Sequence, residues 1–279
     1  MSRIAVIQMT SSRDVEANLE FVRQQCRQAC QSGAQLALTP ENALLFGNKH
    51  DYHRIAEPLG DGPLQQALSI IAKECQLTLV LGSMPIRTEQ GVTSTSIAWG
   101  PDGEYLAHYD KLHMFDVDVA DGHQHYRESD TFVAGQEVVS FDSAIAHTGM
   151  SICYDVRFPA LFQTLRQRSA EVILLPAAFT AVTGRAHWEI LVRARAIETQ
   201  SWVIAAAQTG HHSSGRDTWG HSMVVDPWGS VTAQLAQSPG LLLADVDLSV
   251  GQSIRKSMPL SQHGRFEHQL VKSPLAKEQ

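Results

Sequence analysis

The sequence predicts an α/β protein built as a four-layer α-β-β-α sandwich, on three observations. Several strand-like runs are apolar at successive rather than alternate positions, so both of their faces need cover. Amphipathic helical segments alternate with those runs and can provide that cover from outside. The order of elements in the first half returns in the second, which points to two similar sheets packed on each other.

In chain order, Ile4 to Met9 reads as a buried strand. Asp14 then opens a helix in which Leu19, Val22, Cys26 and Ala29 fall at helical spacing, and Gly33 stops it. Leu36 to Pro40 is a second strand, Leu64 to Cys75 an amphipathic helix, and Leu77 to Gly82 a third strand. Ser96 to Tyr109 has two strand-like arms around Pro101-Asp102-Gly103, where Pro presets φ and Gly supplies a positive one, so it is expected to be a hairpin. The stretch from about Phe115 to Ser129 is polar, contains histidines and has no period. It is expected to be a long loop of the kind that carries function in compact domains.

The second half repeats the plan. A helix that can begin at Pro159 ends near Ser169, Glu171 to Pro176 is a strand ending in Pro, Trp202 to Ala207 is an apolar strand, and Ser222 to Thr232 is a hairpin. Trp188 to Glu198 reads as a further amphipathic helix. Residues 1–266 are expected to form a single domain, followed by a polar tail over 267–279.

Composition narrows the function. With 279 residues, 43% of them hydrophobic, the chain can bury a large core and is not a disordered protein. The formal net charge is −7, from 29 acidic against 22 basic residues. No Lys/Arg block is interleaved with aromatics, so a nucleic-acid partner is not expected and a small molecule is. No apolar run approaches bilayer length, and Met1-Ser2-Arg3 leads straight into the first strand without the features of a signal peptide. A cytoplasmic protein without membrane association is expected. Four cysteines in so long a chain do not suggest a disulfide framework.

Three residues with complementary chemistry stand where predicted strands end. Cys153 lies in Gly149-Met-Ser-Ile-Cys-Tyr-Asp-Val-Arg-Phe-Pro159, between an apolar strand and a helix. Positive charge and backbone N–H groups at such a bend can favour its thiolate, while a buried packing cysteine is an equally good reading of that residue alone. Glu41 follows a strand in Leu38-Thr-Pro-Glu-Asn-Ala43, at the sheet end where α/β proteins gather their sites. Lys111 follows the second arm of the hairpin, in His108-Tyr-Asp-Lys-Leu-His-Met-Phe-Asp116. Alone, a glutamate is more often structural and a lysine a solvated charge. Their combination carries the signal.

Together with Ile4-Ala-Val-Ile-Gln8, Gly100-Pro-Asp-Gly103, Gly220-His-Ser222 and Leu243-Ala-Asp-Val-Asp247, these motifs span nearly the whole chain. They resemble the nitrilase superfamily, the carbon-nitrogen hydrolases. The resemblance implies an α-β-β-α fold of nitrilase type whose protomers pair into a homodimer or higher even oligomer. It implies a triad of Glu41, Lys111 and Cys153, with Glu128 as a second glutamate near the lysine. It also implies that Tyr154, Arg157, Phe179 and Thr180 serve substrate binding, with Tyr154 supplying a backbone N–H to the oxyanion. The Trp188 to Glu198 helix would contribute to the protomer interface.

The implied reaction is hydrolysis of a small carboxylate-bearing amide through a cysteine thioester, with release of ammonia and no metal or organic cofactor. Glu57-Pro-Leu-Gly60, Ala72-Lys-Glu-Cys75, Leu81-Gly-Ser-Met-Pro85 and Phe115-Asp-Val-Asp118 look most like the Nit subgroup, whose members act on such amides, often with an α-keto group. Two activities compete there, deaminated glutathione amidase and omega-amidase on α-ketoglutaramate or α-ketosuccinamate. The Glu57 to Pro85 stretch and Leu44-Leu-Phe46 favour the first. A nitrile substrate is disfavoured because Ile152 and Tyr154 flank the cysteine in place of a tryptophan-glutamate pair. The contrasting expectation is a catalytically silent dimeric binding module, which loss of a triad member would favour. Cys26, Cys30 and Cys75 read as packing residues, and His123, His125, His211 and His212 as loop histidines, without the ligand set of a zinc site.

Overall fold

The sequence pattern resolves into a seven-stranded and a six-stranded sheet built on one plan, as seen in the computed structural model, which describes residues 1–271. Of the expected tail, 267–271 is exposed and without helix or strand, and 272–279 lies outside the described residues.

In the first sheet, Ser2–Gln8, Leu36–Leu38 and Thr78–Thr88 run parallel, and Gly91–Trp99 and Tyr105–Asp110 continue antiparallel as a hairpin. In the second, His147–Met150, Val172–Ala177 and Trp202–Ala207 run parallel and Met223–Val225 and Val231–Gln234 add the hairpin. Each sheet also carries an antiparallel strand beside its first one. Gly240–Val246 pairs with Ser2–Gln8 from Gly240 opposite Gln8 to Val246 opposite Ser2, and Ser140–Asp142 pairs with His147–Met150. The repeat expected from element order is therefore present strand by strand. The two-residue strand Glu57–Pro58 pairs beside Thr78–Thr88, off the main order of the first sheet.

Alternation of side chains explains why the central strands are apolar throughout. Ile4 and Val6 pack in the cluster that joins the sheets, while Ala5 and Ile7 face the outer helices Val15–Gln31 and Pro63–Cys75 through Val22, Cys26, Leu68 and Ile71. Pro159–Gln167 and Ala181–Thr199 cover the second sheet with Phe162, Leu165, Trp188 and Val192. At one end the sheets meet through a single bridge between Met9 and Gln208.

Two expectations change. The stretch from 115 to 129 is not a plain loop, because Asp116–Asp118 pairs with His125–Arg127 and a 3-10 turn follows over Glu128–Asp130. Strands of three residues are too short to imprint a period, and this one is tied by Arg127 to Asp118 at 2.9 Å. A short helix, Lys49–Ile55, was also not expected. Its signal was the capping box of Asn48 and Asp51, each side chain accepting from the other's backbone. No helix among the described residues is long and apolar enough to cross a membrane.

Candidate active site

The chain brings Glu41, Lys111, Glu128 and Cys153 to one cavity, at the end where the parallel strands of both sheets stop. Glu41 comes three residues after Leu36–Leu38, Lys111 directly after Tyr105–Asp110, and Cys153 three residues after His147–Met150.

Backbone turns aim the first and last of these inward. Ile152 is extended at φ −135°, and Cys153 then takes φ +48°, a left-handed conformation that an L-residue holds only when its surroundings enforce it. The enforcement comes from Asp155, whose carboxylate accepts from the Ile152 backbone N–H at 2.8 Å. On the other sheet Asn42, directly after Glu41, is likewise left-handed at φ +58°, and its N–H is held by Ser83 Oγ at 2.9 Å. Gly82 makes that approach possible, because a Cβ there would lie 2.2 Å from the Pro40 carbonyl oxygen.

Lys111 is 1% exposed and sits between two carboxylates. Its Nζ donates to Glu41 Oε1 at 2.7 Å and to both oxygens of Glu128 at 2.8 Å. Burial alone would depress this ammonium. Glu128 and Glu41 outweigh burial, with Cys153 adding to them, and hold it well above the usual lysine range. Lys111 is therefore a fixed cation. Glu128 also accepts from the Phe115 N–H at 2.6 Å, and burial pushes its carboxyl above the ordinary value against the pull of Lys111.

The Cys153 thiol is pushed well up, first by burial and then by the charge of Glu41, against Lys111 and the backbone N–H of Ala178. The carboxylate of Glu41 that raises the thiol lies within hydrogen-bond reach of the sulfur.

The cavity, of about 190 Å³, is walled by aromatic rings, and Tyr154 and Phe179 are among the residues that line it. Tyr154 meets Phe115 edge-on with ring centroids 5.1 Å apart. Arg157 and Thr180 are not brought to the cavity wall. Arg157 lies behind it, 5.3 Å from the Phe179 ring and 5.9 Å from the Tyr154 ring, with its guanidinium 3.4 Å from His187 Nδ1. Thr180 is buried as the N-cap of Ala181–Thr199, accepting from the Thr183 N–H.

Three residues of the site went unread in the sequence. Gln208 reaches across the sheets, with its amide donating to the Glu41 carbonyl at 2.9 Å and to Ser11 Oγ at 2.6 Å. Asp155 was part of the quoted cysteine motif, but its partners lie up to 46 residues away and gave no local signal. Arg216 lines the cavity from the connection between Thr209–His211 and Asp217–Trp219. Of the four histidines read as loop residues, His212 is buried. It stacks on Phe46 at 3.8 Å and is hydrogen-bonded through both ring nitrogens, to Ser11 O and Thr218 Oγ1. His123 stands at the cavity rim against Tyr126. Cys26, Cys30, Cys75 and Cys153 are all unpaired, and no cluster of three or more metal-ligating side chains occurs among the described residues.

Comparison with known proteins gives concordant matches. The carbon-nitrogen hydrolase family profile matches residues 3–256. A protein of Yersinia enterocolitica named deaminated glutathione amidase is 45% identical over 273 residues, covering 97% of this chain and 95% of that one. The crystal structure of Saccharomyces cerevisiae Nit3, a member of branch 10 of the nitrilase superfamily, superposes with a TM-score of 0.86 at 28% identity, covering 95% of this chain and 97% of that one. An amidase from Nesterenkonia sp. AN1, solved with acrylamide added to its active-site cysteine, superposes with a TM-score of 0.77 at 26% identity, covering 94% of this chain and 100% of that one.

Proposed function

The chain belongs to the carbon-nitrogen hydrolase family, and from that premise we propose that Cys153 is its nucleophile, Glu41 its proton carrier and Lys111 the cation that stabilises developing charge. It is an amidase, hydrolysing a carbon-nitrogen bond. The observation that carries the assignment of roles is Lys111 Nζ bridging Glu41 and Glu128 in the same cavity that Cys153 lines.

In the first half-reaction Glu41 takes the Cys153 proton as the sulfur bonds to the amide carbon, and the carbonyl electron pair moves onto oxygen. Lys111 and the Tyr154 backbone N–H face that oxyanion. Glu41 returns the proton to the nitrogen, the carbon-nitrogen bond breaks, and an acyl thioester remains. In the second half Glu41 takes a proton from water, hydroxide adds to the thioester, and the sulfur leaves with its proton restored. Glu128 keeps Lys111 in register throughout and exchanges no proton in this scheme.

The favoured substrate is deaminated glutathione, supported by the relative at 45% identity. In that compound a keto group replaces the α-amino group of glutathione, and the γ-glutamyl bond is a secondary amide. Its hydrolysis releases 2-oxoglutarate and cysteinylglycine. The expected release of ammonia thus applies only to primary amides such as α-ketoglutaramate, whose acyl half is the same 2-oxoglutaryl group.

The protein is further proposed to work as a homodimer through the Ala181–Thr199 helix. Ile190 and Ile197 share one face at 69% and 48% exposure, and Trp228 lies close by at 64%, since Arg193 of the same helix bonds the Gly229 carbonyl. Cytoplasmic residence is proposed with it.

The test is a product assay on purified wild type and Cys153→Ser, with deaminated glutathione and α-ketoglutaramate in parallel. The expected result is stoichiometric cysteinylglycine and 2-oxoglutarate from the first compound at the higher kcat/KM. No turnover of either amide would overturn the substrate class, and a serine variant as active as wild type would overturn the nucleophile.

A further inference from the structure

Among the described residues, the cavity holds one arginine or lysine without an acid. Lys111 is matched by Glu41 and Glu128, and Arg127 bonds Asp118 at 2.9 Å. Arg216 has no carboxylate within ion-pair distance among the described residues. Its guanidinium lies 4.9 Å from the Tyr126 ring centroid and 5.4 Å from that of Phe46, held between two cavity walls. One amino group donates to the Ala178 carbonyl at 2.7 Å, while Nε is buried without an acceptor among the described residues. Ser214, two residues earlier and also on the wall, has its Oγ buried and unpartnered.

Burying unfilled donors on a charged group is unfavourable unless a ligand completes them, and a guanidinium fork matches a carboxylate. Building on the amidase assignment, we propose that Arg216, aided by Ser214, binds the far carboxylate of the substrate's acyl half and so selects amides of dicarboxylic acids.

The position fits. Ala178 offers its carbonyl to Arg216 and its N–H to the Cys153 sulfur, so one residue separates the guanidinium from the nucleophile. That geometry allows at most about 10 Å between them, from ordinary backbone and hydrogen-bond dimensions. A five-carbon acyl chain spans about 5 Å from its thioester carbon to its distal carboxyl carbon, and the carbon-sulfur bond and one hydrogen bond fill the remainder.

The experiment compares α-ketoglutaramate with its methyl ester, which carries the same primary amide without the carboxylate charge, on wild type, Arg216→Gln and Arg216→Lys. Wild type is expected to prefer the acid, and Arg216→Gln to lower that acid-to-ester preference on the order of 100-fold, mainly through KM for the acid. Arg216→Lys restores part of it. An acid-to-ester ratio unchanged in Arg216→Gln overturns the assignment. A loss confined to deaminated glutathione overturns the acyl-side placement in favour of the leaving dipeptide's carboxylate. Direct binding of 2-oxoglutarate to Cys153→Ala and to Cys153→Ala/Arg216→Gln, by calorimetry, keeps the two proposals separable. At least tenfold weaker binding in the double variant is expected whether or not any amide is turned over, and equal binding overturns the role of Arg216.

Discussion

Tyr109, two residues before Lys111, donates its hydroxyl at 2.7 Å to Asp155, two residues after Cys153. The candidate cation and nucleophile belong to different sheets, and this bond joins their supports. Asp155 is fully buried and also accepts from the Ile152 N–H at 2.8 Å, and from the N–H and Nδ1 of His113 at 3.2 and 2.7 Å. His113 in turn stacks on Phe158 at 3.6 Å. A carboxylate with that many donors fixes the distance between Lys111 and Cys153. Asp155→Asn should lower kcat/KM by about 10- to 100-fold and unfolding free energy by about 2 kcal/mol, because charged hydrogen bonds are lost while the volume is kept. Tyr109→Phe should cost about 1 kcal/mol. Steady-state kinetics beside urea melts check both, and wild-type kinetics in Asp155→Asn would sink the positioning role.

Gly82→Ala should damage catalysis from outside the cavity. The added methyl would lie 2.2 Å from the Pro40 carbonyl oxygen and 2.4 Å from that of Thr39, so the backbone that presents Glu41 must move. A stability loss of about 1–3 kcal/mol and a fall in kcat of about tenfold or more are expected. Gly33→Ala serves as the control. It meets nothing within 4 Å and carries only the conformational cost of its φ of +78°. Equal activity of the two variants would show that the strand approach at Gly82 does not set Glu41.

Acid should destabilise the fold through His212. Burial lowers its pKa from 6.5 to about 4, and it is 1% exposed. Between those values the unfolded chain binds the proton and the folded one does not. The stability it contributes is present above 6.5 and is lost as pH falls from there towards 4. Moving from pH 7 to pH 5 should cost about 2 kcal/mol in a urea titration, and His212→Asn should flatten that slope. A slope of the same size in the variant would assign it to other groups.

Glu41→Gln should make the Cys153 thiol more reactive toward alkylation while abolishing turnover. Burial first and the Glu41 charge second raise the Cys153 thiol, so removing the charge lowers it. With iodoacetamide, and Cys153 followed by peptide mass spectrometry apart from the exposed Cys30, the midpoint of modification should shift to lower pH. A midpoint that stays or rises would mean that Glu41 is not charged beside the thiol.

The fold was legible because its strands are long enough, or apolar enough, to write their period, and because Pro101-Asp102-Gly103 and the caps punctuate them. Glu41, Lys111 and Cys153 were legible as ends of such strands within a family pattern. What escaped was set by distant partners. Asp155 and Gln208 stand out through bonds to residues remote in the chain, and Arg216, in the role proposed for it, through having no acidic neighbour among the described residues, which spacing cannot reveal. Arg157 and Thr180 were placed by neighbourhood in sequence. The turn after Cys153 carries Arg157 behind the ring of Tyr154, and the start of Ala181–Thr199 consumes Thr180 as a cap.

Ser2–Gln8 and Gly240–Val246 pair along seven residues, so the opening strand of the first sheet is covered by the last strand among the described residues. Without it the opening strand offers a bare row of donors and acceptors to any other chain. A chain cut short before residue 240 would expose that row just beneath a complete set of Glu41, Lys111 and Cys153. Truncations in that region should therefore appear as aggregation before they appear as loss of chemistry.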